Sequence, residues 1–334
     1  MINQKDVAKK AGVSSATVSA VLNQNKFVSE NLKSKVLKAI EDLEYEPNVI
    51  ARSLKINRTN SIGIIVGNIV SQAFSIMAKA AEDVANKYKF NLIVCNSDED
   101  PEKELNYLKV LKSNRVEGII LTSTGKNNEY VKGLIESGIK IVLLDRLLED
   151  VNCDAVLLDN EKGGYVATNY LISRGMKKIG IICGPLSITT GKERFNGYIR
   201  ALQEAGIERD ENLIKIGSFK KESGIKLAIE LLKGPVKPEA IFVANLDLTL
   251  GALEIIKYMK FRIPEDISII GFDNSEWYKI IDPPLTVINH PIYGYGASAA
   301  KLLFEKINMK GESKEDKPSI KRLKTSLLVR GSVR

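Results

Sequence analysis

From Ser61 onward, short runs of apolar and mostly β-branched residues alternate with stretches whose apolar residues recur at helical spacing. The runs fall at 62–66, 92–95, 118–121, 141–144, 156–158, 179–183, 240–243 and 267–270. A strand buried on both faces is apolar along its whole length, and strands separated by helices are joined by crossovers. The alternation therefore predicts parallel sheets covered on both sides. Residues 61–334 are too many for one such sheet, given a prior of about 150 residues per domain. Two α/β lobes are expected, with ligands at the carboxyl ends of their strands.

Residues 1–45 contain no strand-like run. Asn3 with Asp6 reads as a capping pair that opens a helix running to Ala11, where Gly12 stops it. Ser14 then caps a second helix, 15–23, with Val18, Val21 and Leu22 on one face. Ser29 opens a third, with Leu32, Val36, Ile40 and Leu43 at helical spacing. A glycine turn between the first two makes this a helix-turn-helix, although a generic helical bundle has the same periodicity. Pro47 suits the first turn of a further short helix over 48–54, and Arg52, Lys55 and Arg58 make that stretch basic. It is either a bare linker or a segment that folds on meeting phosphate.

The rest of the composition mainly excludes. A formal charge of +8 makes an anionic partner reasonable without naming one. No apolar run approaches the ~20 residues that span a bilayer, and the polar start is unlike a secretory signal, so a cytoplasmic chain without a membrane partner is expected. Cys95, Cys153 and Cys183 lie far apart in apolar segments, which leaves neither a disulfide framework nor a zinc spacing. With His290 the only histidine, multi-histidine metal sites are excluded and no metal is expected. The glycines at 184 and 191 are wrongly spaced for a phosphate-binding loop, and Glu193 follows Lys192 where Ser or Thr would hold magnesium. No dinucleotide fingerprint follows the first strand, and no cofactor is expected.

One long segment is more specific: Val13-Ser14-Ser15-Ala16-Thr17-Val18-Ser19-Ala20-Val21-Leu22-Asn23, preceded by Lys5-Asp6-Val7-Ala8 and followed by Val28-Ser29-Glu30 and Glu46-Pro47-Asn48-Val49-Ile50-Ala51-Arg52-Ser53-Leu54. It closely resembles the N-terminus of the lactose repressor (LacI/GalR) family of bacterial transcription regulators. The likeness continues through Leu143-Leu144-Asp145-Arg146, Leu158-Asp159-Asn160, Glu193-Arg194-Phe195-Asn196-Gly197-Tyr198, Phe242-Val243-Ala244-Asn245, Gly271-Phe272-Asp273 and Pro283-Pro284-Leu285-Thr286. It implies a DNA-binding head over 1–45, a hinge helix and linker over 46–59, and a two-lobed core like the periplasmic sugar-binding proteins. The chain would cross between lobes three times, placing 60–159 with 291–319 in the first lobe and 160–290 with 320–334 in the second. It also implies a homodimer on near-palindromic double-stranded operator DNA. No leucine-heptad helix follows Ser326-Leu327-Leu328-Val329-Arg330, so assembly is expected to stop at the dimer.

With Val18, Val21 and Leu22 facing inward, Ala16, Ser19, Ala20 and Asn23 should point outward, with Ser15 and Thr17 in the exposed first turn and Ser14 at the cap. That face would enter the major groove. Ala20 stands where family members often carry Arg, so thymine-methyl packing and indirect readout gain weight over bidentate reading of guanine. Lys5, Lys9 and Lys10 are the expected phosphate neighbours. In the hinge, the resemblance makes Leu54 an apolar wedge in the minor groove, with Ala51 and Arg52 facing the groove and Asn48 among the contacts. A structural Leu packed on the core is the competing reading of Leu54.

On the effector side, the resemblance places Arg194 and Asp273 in the cleft between lobes, followed by Asn245, Asp145, Ser71, Phe74, Trp277 and His290. Carboxylates accept from sugar hydroxyls and an indole stacks on a sugar ring, though Trp277 could equally be a packed core aromatic. Leu246 stands where the family usually has Asp, which implies one missing polar contact. His290 stands where the family often has Gln. The reading is a regulator, not an enzyme: a repressor of carbohydrate-utilisation genes controlled by a small sugar or sugar acid. The alternatives are a global catabolite regulator answering to a phosphoprotein and, less favoured, an α/β sugar-modifying enzyme.

Overall fold

A computed structural model describes residues 2–23, 26–45, 59–309 and 317–334, in two compact units divided between Thr59 and Asn60. The first contains α1 (Gln4–Ala11), α2 (Ser15–Asn23) and α3 (Glu30–Asp42). The Asn3 side chain accepts from the Lys5 amide at 2.8 Å, while Asp6 accepts from the Asn3 amide at 2.9 Å, closing the expected capping box. Gly12 ends α1 at φ 68°, a left-handed conformation that costs a glycine little and an L side chain more. Ser14 Oγ accepts from the Thr17 amide at 3.1 Å and so caps α2. Ser29 stands before α3 as expected, but its hydroxyl makes no capping bond. Val7, Ala8, Val18, Val21, Val36 and Ala39 form this unit's core.

The outward face of α2 is narrower than expected. Ser15 and Ala16 are exposed and Thr17 and Ser19 half-buried, but Ala20 is only 9 % exposed. A methyl group projects little beyond the helix backbone, so neighbouring groups cover it whichever way it points.

The second unit holds two six-stranded sheets. Strands β1 (Ser61–Val66), β2 (Asn91–Asn96), β3 (Gly118–Leu121), β4 (Lys140–Leu144) and β5 (Asp154–Leu158) belong to the first. Strands β6 (Ile179–Cys183), β7 (Ile214–Ile216), β8 (Ala240–Val243), β9 (Ser268–Phe272) and β10 (Thr286–Asn289) belong to the second. Then β11 (Ile320–Leu323) joins the first and β12 (Ser326–Leu328) the second. The orders β11-β5-β4-β3-β1-β2 and β12-β10-β9-β8-β6-β7 match position for position, so one lobe repeats the other. Pairing is parallel except between β10 and β12. The inner strands are buried along nearly their whole length; fully burying side chains such as Ile62, Ile64 and Ile65 stabilises by about 1.5–3 kcal/mol each.

The last crossing differs from expectation. Ile320 to Leu323 pair in parallel with Ala155 to Leu158, so this strand belongs to the first lobe and the chain crosses after Leu323, not at 319/320. The backbone ladder to β5 decides this, and the polar Lys321 and Arg322 at a sheet edge had hidden it. The chain also passes from one sheet to the other after β5 and back after β10.

Helices α4 (Gln72–Lys87), α5 (Pro101–Ser113) and α6 (Asn128–Glu136) belong to the first lobe; α7 (Asn160–Ser173), α8 (Thr189–Glu204), α9 (Lys221–Lys233), α10 (Leu246–Tyr258) and α11 (Trp277–Ile280) to the second; and α12 (Ile292–Asn308) returns to pack on α4. Gly164 on α7 lies against the Arg194 carbonyl of α8 so closely that a Cβ would collide with it, and this fixes where α8 presents Arg194. Among the described residues no helix is long and apolar enough to cross a membrane.

Candidate functional site

In open α/β sheets, ligand sites form beyond the carboxyl ends of strands. Here both sheets aim those ends at one cleft of about 1150 Å³. Asn68 and Ser71 follow β1, Asp145 and Arg146 follow β4, Phe219 to Glu222 follow β7, Asn245 and Asp247 follow β8, Asp273 follows β9 and His290 follows β10. Asp145 and Asp273 occupy equivalent places in the two lobes. Each sits one residue past the third strand of its sheet at φ 73°, with its amide bonded to the neighbouring strand, at Val156 and Ile288 respectively. Asp is among the few non-glycine residues that tolerate this backbone conformation.

The buried polar groups form two connected sets. Arg194 donates from Nε to Asn160 Oδ1 at 2.9 Å and from a terminal nitrogen to the Ala244 carbonyl at 2.7 Å, and its guanidinium lies 3.7 Å above the Phe272 ring. Asn160 Nδ2 donates to Glu193 at 3.4 Å, and Glu193 accepts both ends of the Arg322 fork at 2.8 and 3.0 Å. Since Arg322 belongs to the first lobe and Glu193 to the second, the side chain beside the cleft is wired to an ion pair between lobes. In the other set, His290 Nε2 and Asp273 Oδ1 are 2.8 Å apart. Burial opposes the charge on Asp273, but the His290 hydrogen bond and the field of Arg194 outweigh it and hold the carboxyl below its ordinary range. His290 therefore donates from Nε2, and its buried Nδ1 has no hydrogen-bond partner among the described residues, nor does Thr190 Oγ1.

In the first lobe, Arg146 is clamped by Glu99 through two bonds of 2.7 Å and also donates to the Ser123 carbonyl at 3.0 Å. Burial raises the Asp145 carboxyl, with Asp273 adding to the effect against Arg146 and Arg194. Tyr295 donates to Asp145 at 3.5 Å. Direct bonds between lobes frame the opening: Ser275 Oγ to Gln72 Oε1 at 2.7 Å, Asn68 Nδ2 to Asp247 Oδ2 at 3.4 Å, and the Leu147 amide to Thr189 Oγ1 at 3.0 Å.

Over residues 59–325 the sequence matches the family described as periplasmic binding proteins and sugar binding domain of LacI family, and over 3–48 the bacterial regulatory proteins of the lacI family. The chain belongs to the LacI family. It is a DNA-binding transcription regulator. Its LacI-family relatives include the HTH-type transcriptional regulator RegA of Clostridium saccharobutylicum, 39 % identical over 307 residues and 92 % of each chain. The HTH-type transcriptional repressor PurR of Pasteurella multocida (strain Pm70) is 37 % identical over 335 residues, covering 100 % of this chain and 99 % of its own. Among solved structures, the lac repressor dimer bound to operator and the anti-inducer ONPF superposes with a TM-score of 0.86 at 25 % identity, over 99 % of this chain and 98 % of that one.

Of the expected effector residues in this LacI-family core, Ser71, Phe74, Asp145, Arg194, Asn245, Asp273 and His290 all line the cleft. Trp277 does not. The four-residue α11 buries Tyr278, whose hydroxyl donates to the Leu246 carbonyl at 3.2 Å; with ~100° between successive helical residues, Trp277 is turned out and is 65 % exposed. Asn245 also differs from expectation in detail, since its side chain accepts from the amides of Asp247 and Leu248 and caps α10. The cleft includes residues that the sequence reading missed: Asp247, Arg146, Thr190, Phe219 and Tyr295. On the head, Lys5, Ser14, Ser15 and Ala16 are exposed. Asn23 lies in α2 with its side chain outside the description, and Asn48, Ala51, Arg52 and Leu54 lie outside the described residues.

Asp247 carries a stability prediction. Burial first, and then the charge of Asp273, push its carboxyl up to about 6 against hydrogen bonds from Asn68 and Ser71. Between the ordinary value near 3.8 and this one the folded state holds a proton that the unfolded chain has released, so stability falls as pH rises through that window and stays lower above it. Asp247→Asn should therefore raise the unfolding free energy by on the order of 2–3 kcal/mol at pH 8, with the gain gone at pH 4. Thermal melts at both pH values check this, and an equal effect at each would show an ordinary carboxyl.

Proposed function

We propose that this regulator is a homodimeric repressor of carbohydrate-utilisation genes, with a small sugar or sugar acid as the effector bound between its lobes. The observation that carries the reading is the convergence, from strand ends of both lobes, of acceptors and donors around an aromatic face. Asp145, Asp247 and Asp273 accept, Arg194 donates, His290 and Thr190 have unpartnered atoms to offer, and Phe74 and Phe219 supply rings. Hydroxyl-rich rings need that combination. On the DNA side, Ser15 and Ala16 with Thr17 and Ser19 are proposed to enter the major groove, Lys5, Lys9 and Lys10 to neighbour phosphates, and Leu54 to wedge the operator centre. The exposed first turn of a capped second helix supports the first of these.

Two linked measurements test the reading. An operator is first selected from a random-sequence pool with the purified protein. Thermal shift is then measured across a saccharide panel, where a ligand at 100 times its dissociation constant stabilises by about 2.7 kcal/mol. A stabilising saccharide is expected to change retention of the selected operator at least tenfold. A panel in which nothing stabilises the chain, or a ligand that leaves operator retention unchanged, overturns the assignment.

A further inference from the structure

We propose that Asp247 is a specificity-determining residue that makes the cleft accept an uncharged polyol and reject its carboxylate and phosphate derivatives. The inference rests on reading this cleft as the effector site, and it narrows the sugar-or-sugar-acid alternatives to neutral saccharides.

Three observations carry it. The first is charge: on a chain of formal charge +8, the cleft is lined by eight carboxylates against five Lys and Arg side chains, beside His290. The second is that most of those cations are already engaged. Arg146 is held by Glu99, Lys103 by Asp98 at 2.6 Å and Lys221 by Glu254 at 2.7 Å, while Arg194 gives its Nε and one terminal nitrogen to Asn160 and the Ala244 carbonyl and keeps its remaining N–H groups for a ligand. An anion drawn to Arg146 would have to pull it from Glu99 and leave half of a buried pair unpaired. The third is Asp247 itself. Its described partners are an amide and a hydroxyl, Asn68 and Ser71, both of the opposite lobe. It stands close enough to Asp273 for the two charges to oppose each other, so a third negative charge in a partly dry cleft would meet two repelling carboxylates at once. A hydroxyl meets neither penalty, because it donates to a carboxylate and can also bond the unpartnered His290 Nδ1.

The test uses the full-length protein at pH 7.5 and matched pairs: D-glucose with D-glucuronate, D-galactose with D-galacturonate, D-ribose with ribose 5-phosphate, and cellobiose with cellobionate. Calorimetry reads each affinity. In any pair that binds, the neutral member is expected to bind at least about tenfold more tightly, a difference of ~1.4 kcal/mol. Raising salt from 50 to 500 mM should narrow that gap, because screening weakens repulsion and leaves hydroxyl bonds in place. Asp247→Asn should narrow the gap at least tenfold, and Asp247→Glu should restore it, which a merely structural role would not do. An anionic member that binds more tightly than its neutral counterpart, a gap unmoved by salt, or a gap unmoved in Asp247→Asn each overturn the inference while leaving a sugar-type effector standing. If no pair binds, the cleft assignment falls and this inference with it.

Discussion

Asp273→Asn and Arg194→Ala are expected to abolish the effector response while leaving the operator affinity of ligand-free protein within a few fold. Asn can occupy the left-handed conformation at 273 and can still bond His290, so Asp273→Asn removes a charge with little strain. What disappears is an ionised carboxylate able to accept from two hydroxyls at once. Arg194→Ala goes further, stripping the donors from Asn160 and the Ala244 carbonyl and uncovering the Phe272 ring. It also removes the side chain through which the cleft is linked, by way of Asn160 and Glu193, to Arg322 of the other lobe. A hydroxylated ligand should lose at least about 100-fold in affinity in either variant, on the order of 3 kcal/mol, because partners are left buried and unpaired. The α/β core and the head are separate units, so the reading helix is untouched. Effector titration against an operator-bound complex checks both variants. Either one responding at the parent's concentration would place the effector site elsewhere.

What the sequence disclosed follows burial. Strands such as β1, β4, β6 and β8 read as uninterrupted apolar runs because helices cover both their faces. Edge strands do not have to be apolar, and β7 with Lys215 or β11 with Lys321 and Arg322 carried no such signal. That is why the third crossing was misplaced. Within the cleft, Asp145 and Asp273 were reached through the family resemblance, and each follows directly on an apolar run. Asp247 was hidden by register: Leu246 occupied the expected position, and the carboxylate that lines the cleft is one residue later, in the helical turn capped by Asn245. Arg146 lay next to a recognised residue, but its bond to Glu99 joins positions 47 residues apart, which no local pattern reports. Trp277 failed for the opposite reason: an indole suits a sugar ring, but a four-residue helix could bury only one of two adjacent aromatics and buried Tyr278.

Charge is divided unevenly along this chain, and the division yields the second large effect. Residues 1–59 carry ten Lys and Arg against six acidic residues, whereas the cleft lining is net acidic. DNA binding should therefore respond to salt far more strongly than effector binding. Lys9 and Lys10 lie in the last turn of α1, and Lys5 in its first, on a head whose proposed reading helix, α2, carries only short side chains. With no Arg on α2 to fork onto guanine, more of the operator affinity must come from phosphates, and each neutralised phosphate releases a counterion. If a dimer makes roughly 6 to 10 such contacts, operator affinity should fall by about 10³ to 10⁵ between 50 and 200 mM salt. A neutral saccharide binding the core should change little over the same range, since its bonds are to hydroxyls in a partly enclosed cleft. Filter retention of the selected operator and calorimetry of the saccharide, run in the same buffers, separate the two responses. Operator retention that is flat with salt would mean that base contacts and shape carry the affinity, and the phosphate role of Lys5, Lys9 and Lys10 would be wrong.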